Sequence, residues 1–128
     1  MFIKESEYFI RQTLKLKKKY FNIHQDIDDL KKEFPKIAFQ NIGSLNKPLL
    51  EVPVLKSKDS KKQVWRIRCI NSDNNKGKRG GYRIFYCKMD DGQTSLFLGI
   101  FSRSDIHEGE YNVIARELVL AINDWDAI

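Results

Sequence analysis

The sequence reads VWRIRCI over residues 64–70, NSDNNKGKRGG over residues 71–81 and YRIFYC over residues 82–87. The two apolar segments alternate as half-buried strands do, and the polar segment between them is rich in Gly and Asn, which favour turns. Farther on, the tripeptide Asp90-Asp91-Gly92 is a strong hairpin signal that precedes another apolar run. We therefore predict an antiparallel meander of three strands, Val64–Ile70, Tyr82–Met89 and Thr94–Phe101.

A short strand and a helix are predicted at the start of the chain. Residues Phe2–Lys4 form a short apolar run, and Ser6 is a suitable cap for a helix that reaches about Tyr20. A second helix follows, because four apolar residues recur at helical spacing, namely Ile23, Ile27, Leu30 and Phe34. Asn22 and Gln25 predict a capping box at its start, and Pro35 predicts its end. The two helices are expected to form a hairpin.

A last helix is predicted after the meander, with Ser104 or Asp105 as its cap. One apolar face supports it, made of Tyr111, Ile114, Ala115, Leu118, Ile122 and Trp125. Between Lys36 and Gln63, Pro48 and Pro53 interrupt the only apolar run, and no element is predicted. The expected fold class is α+β: an N-terminal helical hairpin packed on a small antiparallel sheet, with a C-terminal helix, in one domain over residues 1–128.

Charge is concentrated in the middle of the chain. Residues 64–83 hold six Lys or Arg and one acid, which is +5 of the chain's net +6. Residues 36–83 hold twelve Lys or Arg and three acids, so they carry +9, whereas residues 84–128 hold three and eight and carry −5. A basic middle of this kind favours a polyanionic partner such as nucleic acid.

The remaining composition excludes several classes of protein. The N-terminus MFIKESEYFI carries acids where a secretory signal needs an apolar run, and no stretch reaches membrane-spanning length, so we expect a cytoplasmic protein without a membrane partner. Cys69 and Cys87 lie in predicted strands without a CxxC or Cys/His grouping. They are expected to be reduced, buried thiols, and no metal site is predicted.

Strand alternation places the arginines of the first meander strand on one face. Arg66 and Arg68 leave one face of their strand roughly 6.6 Å apart, and Trp65, Ile67 and Cys69 leave the other. That interval suits contacts with one or two neighbouring phosphates. The alternative is an exposed sheet face on which the arginines serve solubility alone.

Arg83 favours a phosphate site, because it opens the adjacent strand and can approach the side of the sheet that carries Arg66 and Arg68. Three arginines on one surface repel each other unless an anion is bound. The loop between the strands matches neither common phosphate-binding loop. Its Lys76, Lys78 and Arg79 are expected to form a flexible RNA-binding rim.

Three segments, WRIRCI, KGKRGGYRIFY and LFLGIFSRSD, the last followed by a helix, resemble the RelE/HigB toxins of bacterial toxin-antitoxin modules, in the RelE/ParE superfamily. The resemblance is strongest from Val64 to Asp105 and leaves Lys36–Gln63 unexplained. By motif, Arg66 and Arg68 match two basic residues on a strand of that family. Arg83 matches the arginine after its Gly-aromatic step, and Arg103 matches a basic residue at its sheet edge.

The resemblance implies a metal-independent and cofactor-independent endoribonuclease. Members of the family enter the A site of the 70S ribosome and cut translated mRNA, with the RNA 2′-hydroxyl attacking the adjacent phosphate. A cognate antitoxin with a DNA-binding domain, of the HigA type, neutralises them. The resemblance thus implies mRNA, the ribosome and an antitoxin as partners.

Proton transfer is the part of this chemistry that the arginines supply poorly. Arginine stabilises charge well and fits phosphate oxygens, but its pKa lies far above neutrality. His107, four residues after Arg103, is the candidate base, although a lone histidine at a helix start is more often an ordinary surface residue. Tyr111 lies on the apolar face of the last helix and is expected to serve packing.

Two other functions remain open at this point. A ParE-like inhibitor of DNA gyrase would share the fold and act through protein contacts, so that the arginines would be incidental. A non-catalytic RNA-binding module would combine the basic surface with base stacking on Trp65, Tyr82 and Tyr86.

Overall fold

The computed structural model of the chain describes residues 1–54 and 57–122. These residues form a five-stranded sheet of order β1-β5-β4-β3-β2 and three α-helices. The bounds are β1 (Phe2–Glu5), α1 (Glu7–Lys17), α2 (Ile23–Ile37), β2 (Asn46–Val54), β3 (Ser57–Cys69), β4 (Tyr82–Lys88), β5 (Thr94–Ser102) and α3 (Tyr111–Leu120). The α+β class and the antiparallel β3–β4–β5 meander are confirmed.

The sheet is mixed, so the expectation of an antiparallel sheet is wrong at one edge. β1 lies parallel to β5, with Phe2 opposite Thr94 and Glu5 opposite Phe97. Parallel neighbours need a long connection between them, and here the connection is most of the chain. The alternation pattern of a four-residue strand carries no information about its direction.

Helices α1 and α2 cover one face of the sheet. Their buried residues Phe9, Ile23, Ile27, Leu30 and Phe34 pack against Ile67, Tyr82, Ile84, Tyr86 and Phe97. The predicted cap of α1 is confirmed, because the Ser6 Oγ accepts a hydrogen bond of 3.0 Å from the Phe9 N–H. The same hydroxyl donates to the Leu98 carbonyl at 2.9 Å and so attaches the start of α1 to the sheet.

Helix α2 is present as predicted, but its ends differ. No side chain caps its start: the backbone N–H and Nδ2 of Asn22 donate to Asp73, and Gln25 donates to Asp29. Pro35 lies inside the helix, which continues to Ile37. Proline costs the helix one N–H donor, yet the next turn still closes, since the Ala38 N–H donates to the Phe34 carbonyl at 2.8 Å.

Strand β2 and the first part of β3 occupy the region where no element was predicted. Pro48 and Pro53 are exposed on β2, which is the strand at one edge of the sheet. An edge strand tolerates proline, because the missing N–H faces away from the ladder. The pairing with β3 shifts register between Pro48 and Glu51 and again between Pro53 and Val54. The prolines therefore hid the strand from pattern analysis without preventing it.

The turn between β4 and β5 is the predicted hairpin. Gly92 has a φ of +71°, which glycine adopts at little cost, and the Asp91 carboxylate accepts hydrogen bonds from the N–H groups of Gln93 and Thr94 at 2.9 and 2.8 Å.

Helix α3 begins later than predicted and covers the second face of the sheet. Two short 3₁₀ turns, Arg103–Asp105 and Glu108–Glu110, precede it, and Asp105 accepts from Ser102 instead of capping a helix. Tyr111, Ala115, Leu118 and Val119 are buried against residues that include Val64, Phe85, Leu96 and Leu98. Trp125 lies outside the described residues. None of the described helices has both the length and the apolarity needed to cross a bilayer.

The two cysteines are free and buried, as predicted, and they belong to the cores on opposite faces of the sheet. Burial raises the pKa of each thiol to about 12. We expect iodoacetamide at pH 8 to alkylate the native protein at least about 100-fold more slowly than the urea-unfolded protein, because the thiolate is the nucleophile. Mass spectrometry over time measures both rates, and equal rates would contradict the buried placement.

The same shift predicts a dependence of stability on pH. The folded pKa lies above the ordinary value of 9.0, so the protonated thiols stabilise the fold fully below about pH 9. That contribution is lost as the pH rises toward 12. Urea titrations of wild type and of a Cys69→Ala/Cys87→Ala variant should show a smaller alkaline loss in the variant.

Candidate functional site

The predicted arginines converge on one face of the sheet. Arg68 on β3 lies directly opposite Arg83 on β4, and Arg66 lies two residues before Arg68 on the same face. Trp65 and Cys69 leave the other face, toward α1 and α2. Directly opposed side chains on antiparallel strands have Cβ atoms about 5 Å apart, and like charges there repel. The predicted convergence of Arg66, Arg68 and Arg83 is therefore confirmed.

The expectation that these arginines lie on an open surface is wrong for two of them. Arg66 and Arg83 are each 1 % exposed, whereas Arg68 and Arg103 are half-buried. The sheet has protein on both faces, and the guanidinium carbon of Arg66 lies 5.6 Å from the ring centroid of Tyr111, the first residue of α3. Alternation identifies the face of a strand but not what covers that face.

The guanidinium of Arg83 donates hydrogen bonds to acceptors within the protein. Its Nε donates to the Tyr111 hydroxyl at 3.2 Å, and its Nη1 donates to the carbonyls of Lys78 and Tyr82 at 3.2 and 3.3 Å. Its Nη2 donates to the Arg79 carbonyl at 2.7 Å. All four acceptors are neutral, so Arg83 is hydrogen-bonded without being charge-neutralised.

Arg66 and Arg68 keep unused donors. The Nη1 of Arg66 donates to the Ser44 carbonyl at 2.6 Å, but the Nε atoms of Arg66 and Arg68 are buried and have no hydrogen-bond acceptor among residues 1–54 and 57–122. A buried N–H without an acceptor costs free energy, which an incoming anion can recover. Both donors are thus suited to a phosphate oxygen.

The pKa values of Arg66 and Arg83 are affected by the neighbouring arginines. Burial lowers the pKa of Arg66 to about 10; Tyr111 opposes this shift, and the charges of Arg68 and Arg83 add to it. Burial also lowers the pKa of Arg83, Tyr111 again opposes the shift, and Arg68 and Arg103 contribute to it. No carboxylate of the described chain forms an ion pair with any of these arginines. We call Arg66, Arg68, Arg83 and Arg103 the arginine cluster.

The basic loop, residues 71–81, borders the arginine cluster. Its Lys76, Lys78 and Arg79 are exposed, as expected of a rim. Hydrogen bonds hold the loop where it starts: the Asp26 carboxylate of α2 accepts from the Ser72 N–H and hydroxyl at 3.0 and 3.1 Å. At the other end, the Asn74 side chain donates to the Gly80 carbonyl at 3.0 Å.

A cleft of about 130 Å³ opens beside this loop at the end of β3. Arg68 and Lys78 line it together with Asp26, Asp29, Leu30, Glu33, Cys69 and Ile70. Four of these eight residues belong to α2, which covers the face of the sheet opposite Tyr111, and three of the eight are acidic, so the cleft is separate from the arginine cluster.

The structure places Tyr111, and not His107, in contact with the arginine cluster. His107 is exposed just before the second 3₁₀ turn, and in the described chain its imidazole makes no hydrogen bond to the arginine cluster. Tyr111 serves packing, as predicted, but it also accepts the bond from Arg83 and carries Arg66 over its ring. No sequence signal reveals this second role, because Arg83, which donates to the hydroxyl, is 28 residues away.

The aromatic residues proposed for base stacking do not border the arginine cluster. Tyr82 and Tyr86 are buried on the opposite face of the sheet, where Trp65 packs against the same core. The Tyr86 hydroxyl donates to the Asn46 side chain at 2.6 Å. These rings form part of the core beneath α1 and α2, so the non-catalytic module loses its stacking platform.

We expect the variant Arg66→Met to unfold at a higher urea concentration than wild type, by up to about 2 kcal/mol in free energy of unfolding, because a buried charge without an anionic partner is costly. Below about pH 10 Arg66 is charged in both the folded and the unfolded state, so the gain is complete at neutral pH and shrinks as the pH rises toward 12.5. Arg116→Met, at an exposed position on α3, is the control. A loss of stability in Arg66→Met alone would contradict this account.

Comparison with known protein families, with curated proteins and with solved structures gave no match. The function is therefore inferred from the arginine cluster and its surroundings.

Proposed function

We propose that this protein is a ribosome-dependent, metal-independent endoribonuclease that cleaves mRNA and acts as the toxin of a toxin-antitoxin pair. The observation that carries the proposal is the arginine cluster: four arginines that match the RelE/HigB motifs, two on β3, one on β4 and one after β5, meet at one place. A pair of helices on one sheet face and a helix after the last strand are compatible with a RelE-like arrangement.

The arginine cluster suits the charge that develops at phosphorus. When the 2′-oxygen attacks, negative charge grows on the equatorial phosphate oxygens, and fixed donors stabilise it most where water is excluded. Arg68 and Arg103, which are half-buried, meet the phosphate first, and Arg66 adds positive potential from behind them. Contact between RNA and Arg66 requires residues 103–111 to shift, because Arg66 is 1 % exposed.

Two proton transfers complete the reaction. A base removes the proton from the 2′-hydroxyl, the bond between phosphorus and the 5′-oxygen breaks, and the 5′-oxygen receives a proton, which leaves a 2′,3′-cyclic phosphate and a 5′-hydroxyl. The Tyr111 hydroxyl accepts from Arg83, so its own proton is available for the 5′-oxygen. Tyr111 is buried, so its contact with the 5′-oxygen requires the same shift of residues 103–111. His107, which is exposed and lies four residues after Arg103, stays the candidate base.

The proposed antitoxin partner follows from charge as well as from the resemblance. Residues 36–83 carry +9 by twelve basic residues and three acids, and the exposed Lys76, Lys78 and Arg79 belong to this segment. An acidic segment of a HigA-like antitoxin complements such a surface. Binding there would block the approach of RNA to the arginine cluster.

The proposal is tested by adding the purified protein to translating ribosomes and mapping mRNA ends. We expect new 5′-hydroxyl ends within open reading frames, and at least about a 100-fold lower rate for Arg68→Gln and Arg103→Gln, with Arg116→Gln unaffected. Unchanged mRNA would overturn the proposal. Inhibited supercoiling by gyrase with intact mRNA would select the ParE-like function, and salt-sensitive RNA binding without cleavage would select the non-catalytic module.

The role of Tyr111 is tested separately by Tyr111→Phe, which keeps the ring and removes the hydroxyl. We expect a loss of about 100-fold in kcat with little change in KM, since general acid catalysis acts in the transition state. The free energy of unfolding should fall by only about 1 kcal/mol, the value of one hydrogen bond. Wild-type kcat in this variant would exclude Tyr111 as the acid.

A further inference from the structure

The hydrogen bonds of Arg83 set it apart from the other members of the arginine cluster. An arginine has five N–H donors, and Arg83 makes four hydrogen bonds that involve all three of its nitrogen atoms. It is also 1 % exposed. Arg66 and Arg68, by contrast, each keep a buried Nε without an acceptor in the described chain. Arg83 therefore has no free fork with which to grip a phosphate.

We infer that Arg83 is a positioning residue, which fixes the basic loop so that Lys78 and Arg79 bind the RNA backbone, and that it does not contact the phosphate itself. Two of its acceptors are the main-chain carbonyls of Lys78 and Arg79, at 3.2 and 2.7 Å. Holding these two carbonyls fixes the backbone from which both exposed side chains extend. The inference deepens the proposed function and rests on it for the identity of the bound RNA.

Further contacts hold both ends of the basic loop. At its start, the carboxylate of Asp26 holds Ser72, and the carboxylate of Asp73 accepts two hydrogen bonds from Asn22, at 2.9 and 3.1 Å. At its end, a Cβ added to Gly81 would lie 2.0 Å from the Cys69 carbonyl oxygen, so only glycine fits. The Gly81 carbonyl then accepts from the Arg103 N–H at 3.0 Å. The loop is attached to α2 on one side and to the arginine cluster on the other.

The use of the Arg83 donors favours a positioning role over direct contact with phosphate. A residue that binds phosphate needs N–H donors that face the ligand. An N–H that already donates to a carbonyl must break that hydrogen bond first. Lys78 and Arg79 are exposed and need no such rearrangement.

Limited proteolysis tests the attachment of the loop without any assumption about activity. Trypsin cuts after Lys and Arg, and Arg83 holds the carbonyls of the peptide bonds that follow Lys78 and Arg79. We expect Arg83→Gln to raise the rate of cleavage after residues 78 and 79 by about tenfold or more, measured by mass spectrometry, because hydrogen bonds from a charged donor are lost. Arg116→Gln is the matched control, and an unchanged rate in Arg83→Gln would overturn the inference.

A double-mutant cycle tests whether Arg83 acts through the loop. On ribosomes programmed with a defined mRNA, we expect Arg83→Gln to raise KM by about tenfold. The kcat falls as well, because Arg83 also donates to the Tyr111 hydroxyl, so the change in KM is the readout that tests the loop. In a Lys78→Ala/Arg79→Ala background the same substitution should change KM by less than about twofold, because its effect has already been removed. Effects that multiply in full would show that Arg83 contacts the RNA directly, and would overturn the inference.

Arg83→Lys separates geometry from charge. Lysine keeps the positive charge but cannot reach several carbonyls in a fork, so we expect it to behave as Arg83→Gln does in both experiments. Recovery of wild-type KM by lysine would show that charge at this position is sufficient, and would overturn the inference. If the wild-type chain does not cleave mRNA, the proposed function fails, while the trypsin rates still decide whether Arg83 holds the loop.

Discussion

The guanidinium of Arg83 connects three parts of the molecule that are distant in sequence. It bonds to the basic loop through the carbonyls of Lys78 and Arg79, and to α3 through the Tyr111 hydroxyl. Its own position on β4, opposite Arg68, anchors these bonds to the centre of the sheet. One side chain therefore links the loop, the sheet and α3, in addition to the bonds of the loop to α2 and the apolar packing of α3.

The arginine cluster is a place where stability and function oppose each other. Like charges stand opposite each other on β3 and β4, and Arg66 is buried with a donor that has no acceptor in the described chain. Each of these features costs free energy in the free protein. Such a cost is expected where a site is prepared for an anionic ligand, and the two apolar cores on either side of the sheet offset it.

Much of the fold follows from local signals. The β3–β4–β5 meander, the Ser6 cap, the apolar stripe of α2 and the Asp91-Gly92 turn each depend on residues close in sequence, and all are present. The structure differs from the sequence-based prediction where local signals mislead. Pro48 and Pro53 weaken the pattern of β2 but do no harm on an edge strand, and Asn22 bonds to Asp73 across 51 residues instead of closing a capping box.

For the candidate site, alternation was sufficient to bring Arg66, Arg68 and Arg83 to one face, because side chains on a strand alternate with a period of two. Only the tertiary structure decided what lies above that face. The packing of α3 buries Arg66 and Arg83, gives Tyr111 its contacts with both, and leaves Arg68 and Arg103 half-exposed. The physical reason is that burial and hydrogen-bond partners depend on elements far apart in the chain, whereas the period of a strand depends on its backbone alone.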